Sequence, residues 1–250
     1  VSGQLLDATM PAGMALLLLC SAAFLGTMAA QWLLGAFTVG TRSVLYGAHC
    51  FLLHPWFVAW AWWRLYGFPW DPRLWAAFAV HDLGYWGKPN MDGPEGEAHP
   101  ALGAVIMARL FDGRRVVPVA VGGRLLWLGN WGHFTLLHSR FLAKALRLQP
   151  SRLCIADKLA IALTPSWLYL PMVRATGELN EYMAHAKRHR EAHMDGSEAA
   201  EVTSINARSW HAGVQSYCRR WALEHRDGKI DTWTPDARGR ASISSDGVWR

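Results

Sequence analysis

Cysteine is sparse in this chain. Cys20, Cys50, Cys154 and Cys218 lie far apart with no C-x-x-C, so neither a disulfide framework nor a zinc knuckle is expected. They read as reduced core residues of a domain facing the cytosol. Charge is thin as well, at 18% of 250 residues against 52% hydrophobic, which provides for one good core and one main domain. No basic run is interleaved with stacking aromatics, so no specific nucleic-acid partner is expected. The net charge of +6 suits a small phosphorylated or otherwise anionic substrate, and equally an anionic membrane face. Internal repeats are lacking.

The N-terminal region lacks charge altogether over a long run: 34 residues from Ala8 to Thr41 carry none. A bilayer span needs roughly 20 such residues, so residues 1–42 are a candidate transmembrane anchor. No Lys or Arg precedes the run, which argues against a signal peptide. Arg42 and Arg64 follow it while only Asp7 precedes it, and the positive-inside rule then puts the rest of the chain in the cytoplasm, anchored to the inner or plasma membrane. The other readings are an apolar helix packed on the domain and leader sequence.

Against this apolar background, the ionisable residues of the middle stand out. His81-Asp82 interrupts the apolar segment "LWAAFAVHDLGYWG", and Asp157 sits at the centre of "RLCIADKLAIAL". A buried carboxylate costs several kcal/mol unless it is paired or coordinates a metal. On a helix, adjacent residues point about 100° apart, so the dyad can hold one ion and lean toward a second. Two buried acids call for a cation between them.

His54, His81-Asp82, His99, His138 and Asp157, in that order, resemble the pattern of the HD-domain metal-dependent phosphohydrolases. The resemblance covers roughly residues 44–183 and is strongest at "AFAVHDLGYWG" and "LCIADKLAIAL". It implies an all-α, HD-domain-like helical bundle over 43–200, followed by a C-terminal helix and tail over 201–250. It also implies that His54, His81, Asp82 and Asp157 hold a first ion, with Asp82 free to bridge, and that His99 and His138 hold a second. Mixed nitrogen and oxygen donors suit Mn²⁺, Fe²⁺, Co²⁺, Ni²⁺ or Zn²⁺, as one ion or two. A metal-activated hydroxide then attacks a phosphate ester or anhydride of a nucleotide or small metabolite. Lys88, Arg140 and Lys158 are candidates to neutralise the phosphate oxygens, and Glu95 or Glu97 could shuttle a proton. Relatives that cleave cyclic dinucleotides carry a Gly-Tyr-Pro element; Gly84-Tyr85-Trp86 stands elsewhere here, which disfavours that substrate. Relatives that pair two irons and activate O₂ use the same ligands, so an HD-type diiron oxygenase is the alternative enzyme. A non-enzymatic metal-containing binding or signalling module is the third reading.

Two choices among the eleven histidines follow from position. His54 is taken over His49, five residues upstream, because a helix start projects its first side chain toward the neighbouring loop. His133 and His138 cannot both face one point on a regular helix, and His138 is taken because Ser139 and Arg140 follow it. His185, His189 and His193 recur at spacing four among Lys and Arg, and read as a solvated amphipathic face. Trp56, Trp60 and Trp63 recur at helical spacing and read as core. Helices are expected near 43–53, from 54 to Gly67, from Asp71-Pro72 through the dyad, from Pro100, and over 133–147, 151–163, 171–193 and 203–225. "VVPVAVGG" is either a short strand or a buried turn. From Gly228 the chain loses periodicity and reads as a flexible tail or a surface extension.

Overall fold

Side-chain caps and prolines start most of the helices, and glycines end several. The computed structural model describes residues 37–114, 116–192 and 206–227. Thr38 Oγ1 accepts the Thr41 N–H and opens α1 (Val39–Tyr46). Pro55 fills the first turn of α2 (His54–Tyr66), and Gly67, at φ +86°, ends it. Asp71 caps α3 (Pro72–Val80), which runs into a 3-10 turn (Leu83–Tyr85). The single-turn α4 (Pro94–Glu97) and α5 (Pro100–Phe111) both open on proline. β1 (Val117–Val121) and β2 (Arg124–Leu128) pair antiparallel through Gly122-Gly123, both at positive φ, as a two-residue hairpin turn requires. Next come α6 (Asn130–Leu136), α7 (Arg140–Ala145) capped by Ser139, and α8 (Arg152–Leu163) capped by Ser151. Then follow α9 (Ser166–Thr176), α10 (Glu178–Ala192) and α11 (Ala207–His225), the last capped by Asn206.

The architecture is predominantly helical, with the one hairpin as the sheet among the described residues. α8 is its central element. It packs against α2 on one side and α11 on the other, burying Val58, Trp62 and Leu65 of α2, Leu153, Ile155 and Leu159 of α8, and Trp221 of α11 together with Phe78 and Met107. α5 lies against α3, α6 and β2, and its own cluster joins Ala104 to Val121, Leu128 and Leu136. A helix apolar nearly all round, as α8 is, belongs at the centre of such a stack. Cys50, Cys154 and Cys218 are buried. No helix among the described residues is long and apolar enough to cross a membrane. The anchor expected over 1–42 falls almost wholly outside the described residues, as do Cys20, His193 and the tail from Gly228.

The element map differs from expectation at several points. The first helix covers Val39–Tyr46 rather than 43–53, because Thr38 caps it and Gly47 closes it with an N–H to the Ser43 carbonyl. The helix expected over 133–147 is two, since Ser139 has extended backbone and caps a new one. That expected over 171–193 is also two, separated at Gly177, which takes the left-handed φ of +88°. "VVPVAVGG" is a strand and its turn. Trp56, Trp60 and Trp63 are not core: they are 66%, 42% and 58% exposed. In α2 the inward face is taken by His54, Val58, Ala61, Trp62 and Leu65, and the tryptophans lie on the other side. Both faces share the 3.6-residue period, so spacing could not tell which turns inward.

Candidate metal centre

Four of the six expected ligands sit where helices begin or end. His54 is the first residue of α2, His81 and Asp82 follow the end of α3, and His99 precedes Pro100 at the start of α5. His138 lies between α6 and α7, and Asp157 alone projects from mid-helix, in α8. The dyad thus sits at a helix exit rather than within a helix as its apolar flanks suggested. The carbonyl end of α3 carries partial negative charge there, which favours a cation. Gly84 lets the 3-10 turn come close to the α4–α5 joint: a Cβ on it would lie 1.8 Å from the His99 carbonyl oxygen.

All six side chains are buried and converge. His54 Nε2 is 3.0 Å from Asp157 Oδ1 and 3.2 Å from Asp82 Oδ2, and His81 Nε2 is 2.9 Å from that same Asp82 oxygen. On the other side of the carboxylate, Asp82 Oδ1 is 3.5 Å from His99 Nε2 and 3.3 Å from His138 Nε2. The donors form two overlapping groups, His54-His81-Asp82-Asp157 and Asp82-His99-His138, each with ligand atoms within 4.8 Å of one another and so able to hold a metal ion. Asp82 belongs to both.

The hydrogen bonds around the rings fit an ion. His81, His99 and His138 each place Nδ1 on a backbone carbonyl, of Phe78 at 3.0 Å, Gly96 at 2.7 Å and Thr135 at 2.6 Å. An Nδ1–H donating there leaves Nε2 as the inward-facing atom, the usual outer support of a metal-binding imidazole. In the neutral rings of His99 and His138, two Nε2 lone pairs then meet at 3.0 Å, where neither can donate and a shared cation resolves the conflict. His81 Nε2 and Asp82 Oδ2 lie within ion-pair range, yet both are buried without a hydrogen bond of acceptable geometry. Such orphaned polar atoms are costly unless something coordinates them.

Without an ion the centre balances its charge internally. Burial opposes the His81 cation, but the Asp82 carboxylate overcomes it and pushes the pKa up to about 10. Burial likewise opposes a charged His54, and its hydrogen bond to Asp157, with the Asp82 carboxylate 3.2 Å away, raises it nonetheless. Asp82 and Asp157 stay well below the usual carboxylate range despite burial, held there chiefly by His81 and Lys158 respectively. Burial and the neighbouring His138 depress His99, and burial depresses His138.

The other expected site residues are spread more widely. Lys158 Nζ is 3.1 Å from Asp157 Oδ2, beside the first ligand group. Arg140 bonds the Tyr217 hydroxyl and lies 5.3 Å from the Trp221 ring centroid, on the α11 side. Lys88 accepts the Gly40 N–H at its carbonyl, and among the described residues no side-chain hydrogen bond or ion pair joins it to the ligands. Glu95 is exposed and bonded to Asn90, whereas Glu97 is partly buried, and that burial, helped by Asp92, raises its pKa to about 7. His133 caps back onto the Gly129 carbonyl, away from the ligand groups. His185, partly exposed, lies 3.7 Å from Asp92.

His49 bonds Ser43 Oγ at 2.8 Å, and its ring packs against His54 and Tyr85. Two neighbours of the site had no signal as such in the sequence. Tyr85 stacks on His99 with centroids 3.8 Å apart, fixing the ring plane. Glu178, fully buried, gathers Ser43 Oγ at 2.7 Å, the Ala48 N–H at 3.1 Å, Tyr182 Oη at 3.2 Å and the Thr176 hydroxyl, and so ties α1 and the His49 turn to α10. A small cleft of about 10 Å³, lined by His49, Phe51, His54, His81 and Asp82, has room for one water-sized group. No protein-family model, curated protein or solved structure matches the chain.

Proposed function

We propose that this chain is an HD-type metal-dependent phosphohydrolase acting on a phosphate ester or anhydride. The observation that carries the reading is the pair of ligand groups sharing Asp82, with orphaned Nε2 and carboxylate atoms facing the shared space. A divalent ion held there supplies Lewis acidity toward a phosphoryl oxygen and lowers the pKa of water beside it. His54, His81, Asp82 and Asp157 would hold one position, and Asp82, His99 and His138 the other. The backbone carbonyls of Phe78, Gly96 and Thr135 keep three of the rings in orientation. Lys158, charged and adjacent to Asp157, neutralises phosphate oxygens, a task for which the sequence also offers Arg140 and Lys88.

The test is a panel of phosphorylated nucleotides and metabolites assayed with and without added Mn²⁺, comparing wild type with Asp82→Ala and Asp157→Ala. Metal-dependent hydrolysis by wild type that both substitutions abolish, with helical content retained, supports the reading. Absence of hydrolysis across the panel, with metal bound, points to a metal-containing binding or signalling module instead. The shared carboxylate also suits a coupled diiron centre that activates O₂. Oxygen uptake by iron-loaded protein purified anaerobically, together with the spectrum of a coupled pair, selects that reading.

A further inference from the structure

The tryptophans that α2 turns outward belong to a larger surface. Trp56 stacks edge-on against Trp75 at 5.7 Å, Trp75 reaches Phe68 at 6.4 Å, and Phe68 touches Trp63 at 6.1 Å and Trp70 at 4.5 Å. Trp70 is 84% exposed, and Leu52, in the turn before α2, is 72% exposed. Monomeric soluble proteins rarely leave so large an apolar area contiguous and open unless it binds something. Its composition narrows the occupant. Between Asp7 and Asp71 the sequence holds no acid, and its formal charges are Arg42 and Arg64, the latter exposed in the last turn of α2 beside the ridge.

We propose that this ridge, from Trp56 through Trp63 to Trp70, seats in the interfacial layer of a phospholipid bilayer with an anionic face. Indole rings favour that layer because the apolar body meets acyl chains while the N–H reaches water and ester groups. Arg64 pairs with anionic headgroups, and the charge of Asp71, beside Trp70, is offset by Arg73 at 2.7 Å, so little repulsion opposes such a seat. The ridge lies downstream of the 34 uncharged residues from Ala8 to Thr41, a run whose composition also suits lipid. Stable attachment generally takes two such signals. The docking is independent of the chemistry at the metal centre.

The experiment uses the full chain bound to vesicles of equal phosphatidylglycerol and phosphatidylcholine, with phosphatidylcholine brominated high on its acyl chains as quencher. Wild type is compared with a Trp60→Phe, Trp63→Phe, Trp70→Phe variant, which keeps the surface apolar, leaves buried Trp62 in place and removes three exposed fluorophores. If the ridge lies in lipid, these are among the quenched tryptophans, and the quenched share of the emission falls in the variant. If they face water, the N-terminal segment, a protein partner or a second copy, deleting them removes unquenched light and the quenched share rises. A rise, an unchanged share, or failure of the full chain to bind vesicles overturns the proposal.

Discussion

Asp82 occurs in both ligand groups, so single-ligand deletions should separate the two positions by metal count. With neutral imidazoles, the first group offers two carboxylates, Asp82 and Asp157, to a dication, and the second offers Asp82 alone. Asp157→Ala therefore halves the negative charge of the first position and leaves the second with all its donors. His99→Ala leaves the charge of the second unchanged but removes one of its two imidazoles. Asp82→Ala strips one carboxylate from the first position and the whole charge of the second. Even outer-shell substitutions cost metal sites roughly 10–100-fold in affinity, so loss of a direct ligand should cost on the order of 10²-fold or more. Elemental analysis after dialysis against limiting Mn²⁺ should then find two ions in wild type, one each in His99→Ala and Asp157→Ala, and none in Asp82→Ala. Circular dichroism guards against trivial unfolding. Full metal content in Asp82→Ala, or loss of both ions in His99→Ala, would refute the shared-carboxylate geometry.

Two further outcomes test the support around the centre. Glu178→Ala strands the donors of Ser43, Ala48, Thr176 and Tyr182, two of them buried and two partly buried, and should cost about 3–5 kcal/mol in urea unfolding. Burial works against the Glu178 charge, but His49, Thr176 and Ser43 hold its pKa below the ordinary 4.5. Its stabilising contribution is then complete above that value and lost as pH falls toward the folded pKa, so wild type should lose more stability than Glu178→Gln on acidification below about pH 4.5. A parallel pH dependence in the two would remove this account. Gly84→Ala forces its Cβ against the His99 carbonyl, and should lower stability by about 1–3 kcal/mol while weakening the His99-His138 position more than the His54-Asp157 one. Equal metal loss at both positions counts against the close approach being what places His99.

Much of the local order was legible before any coordinates. Pro55, Asp71-Pro72 and Pro100 mark helix starts by chemistry that acts within a turn of the chain, and the helices begin there. Polar ligands within apolar segments were legible too, because burying Asp157 in "RLCIADKLAIAL" makes sense only with a partner. Less visible were the breaks at Ser139 and Gly177, where helix-forming residues continue on both sides and a single backbone angle decides. Glu178 gave no sign of its role, since its four donors come from segments up to 135 residues away.

The residue types alone determined that this chain is mainly helical, that its cysteines form no obvious framework, and that nitrogen and oxygen donors suited to a borderline cation lie in its apolar middle. Only the tertiary structure brought His54 and His138, which sequence position had favoured over His49 and His133, to the dyad, and turned Trp62 of α2 inward and Trp56, Trp60 and Trp63 outward. The physical reason is common to both. Helical period and capping are properties of neighbours along the chain, whereas the direction of a face or a ligand is set by what packs against it, and for α2 that is α8, about a hundred residues further on.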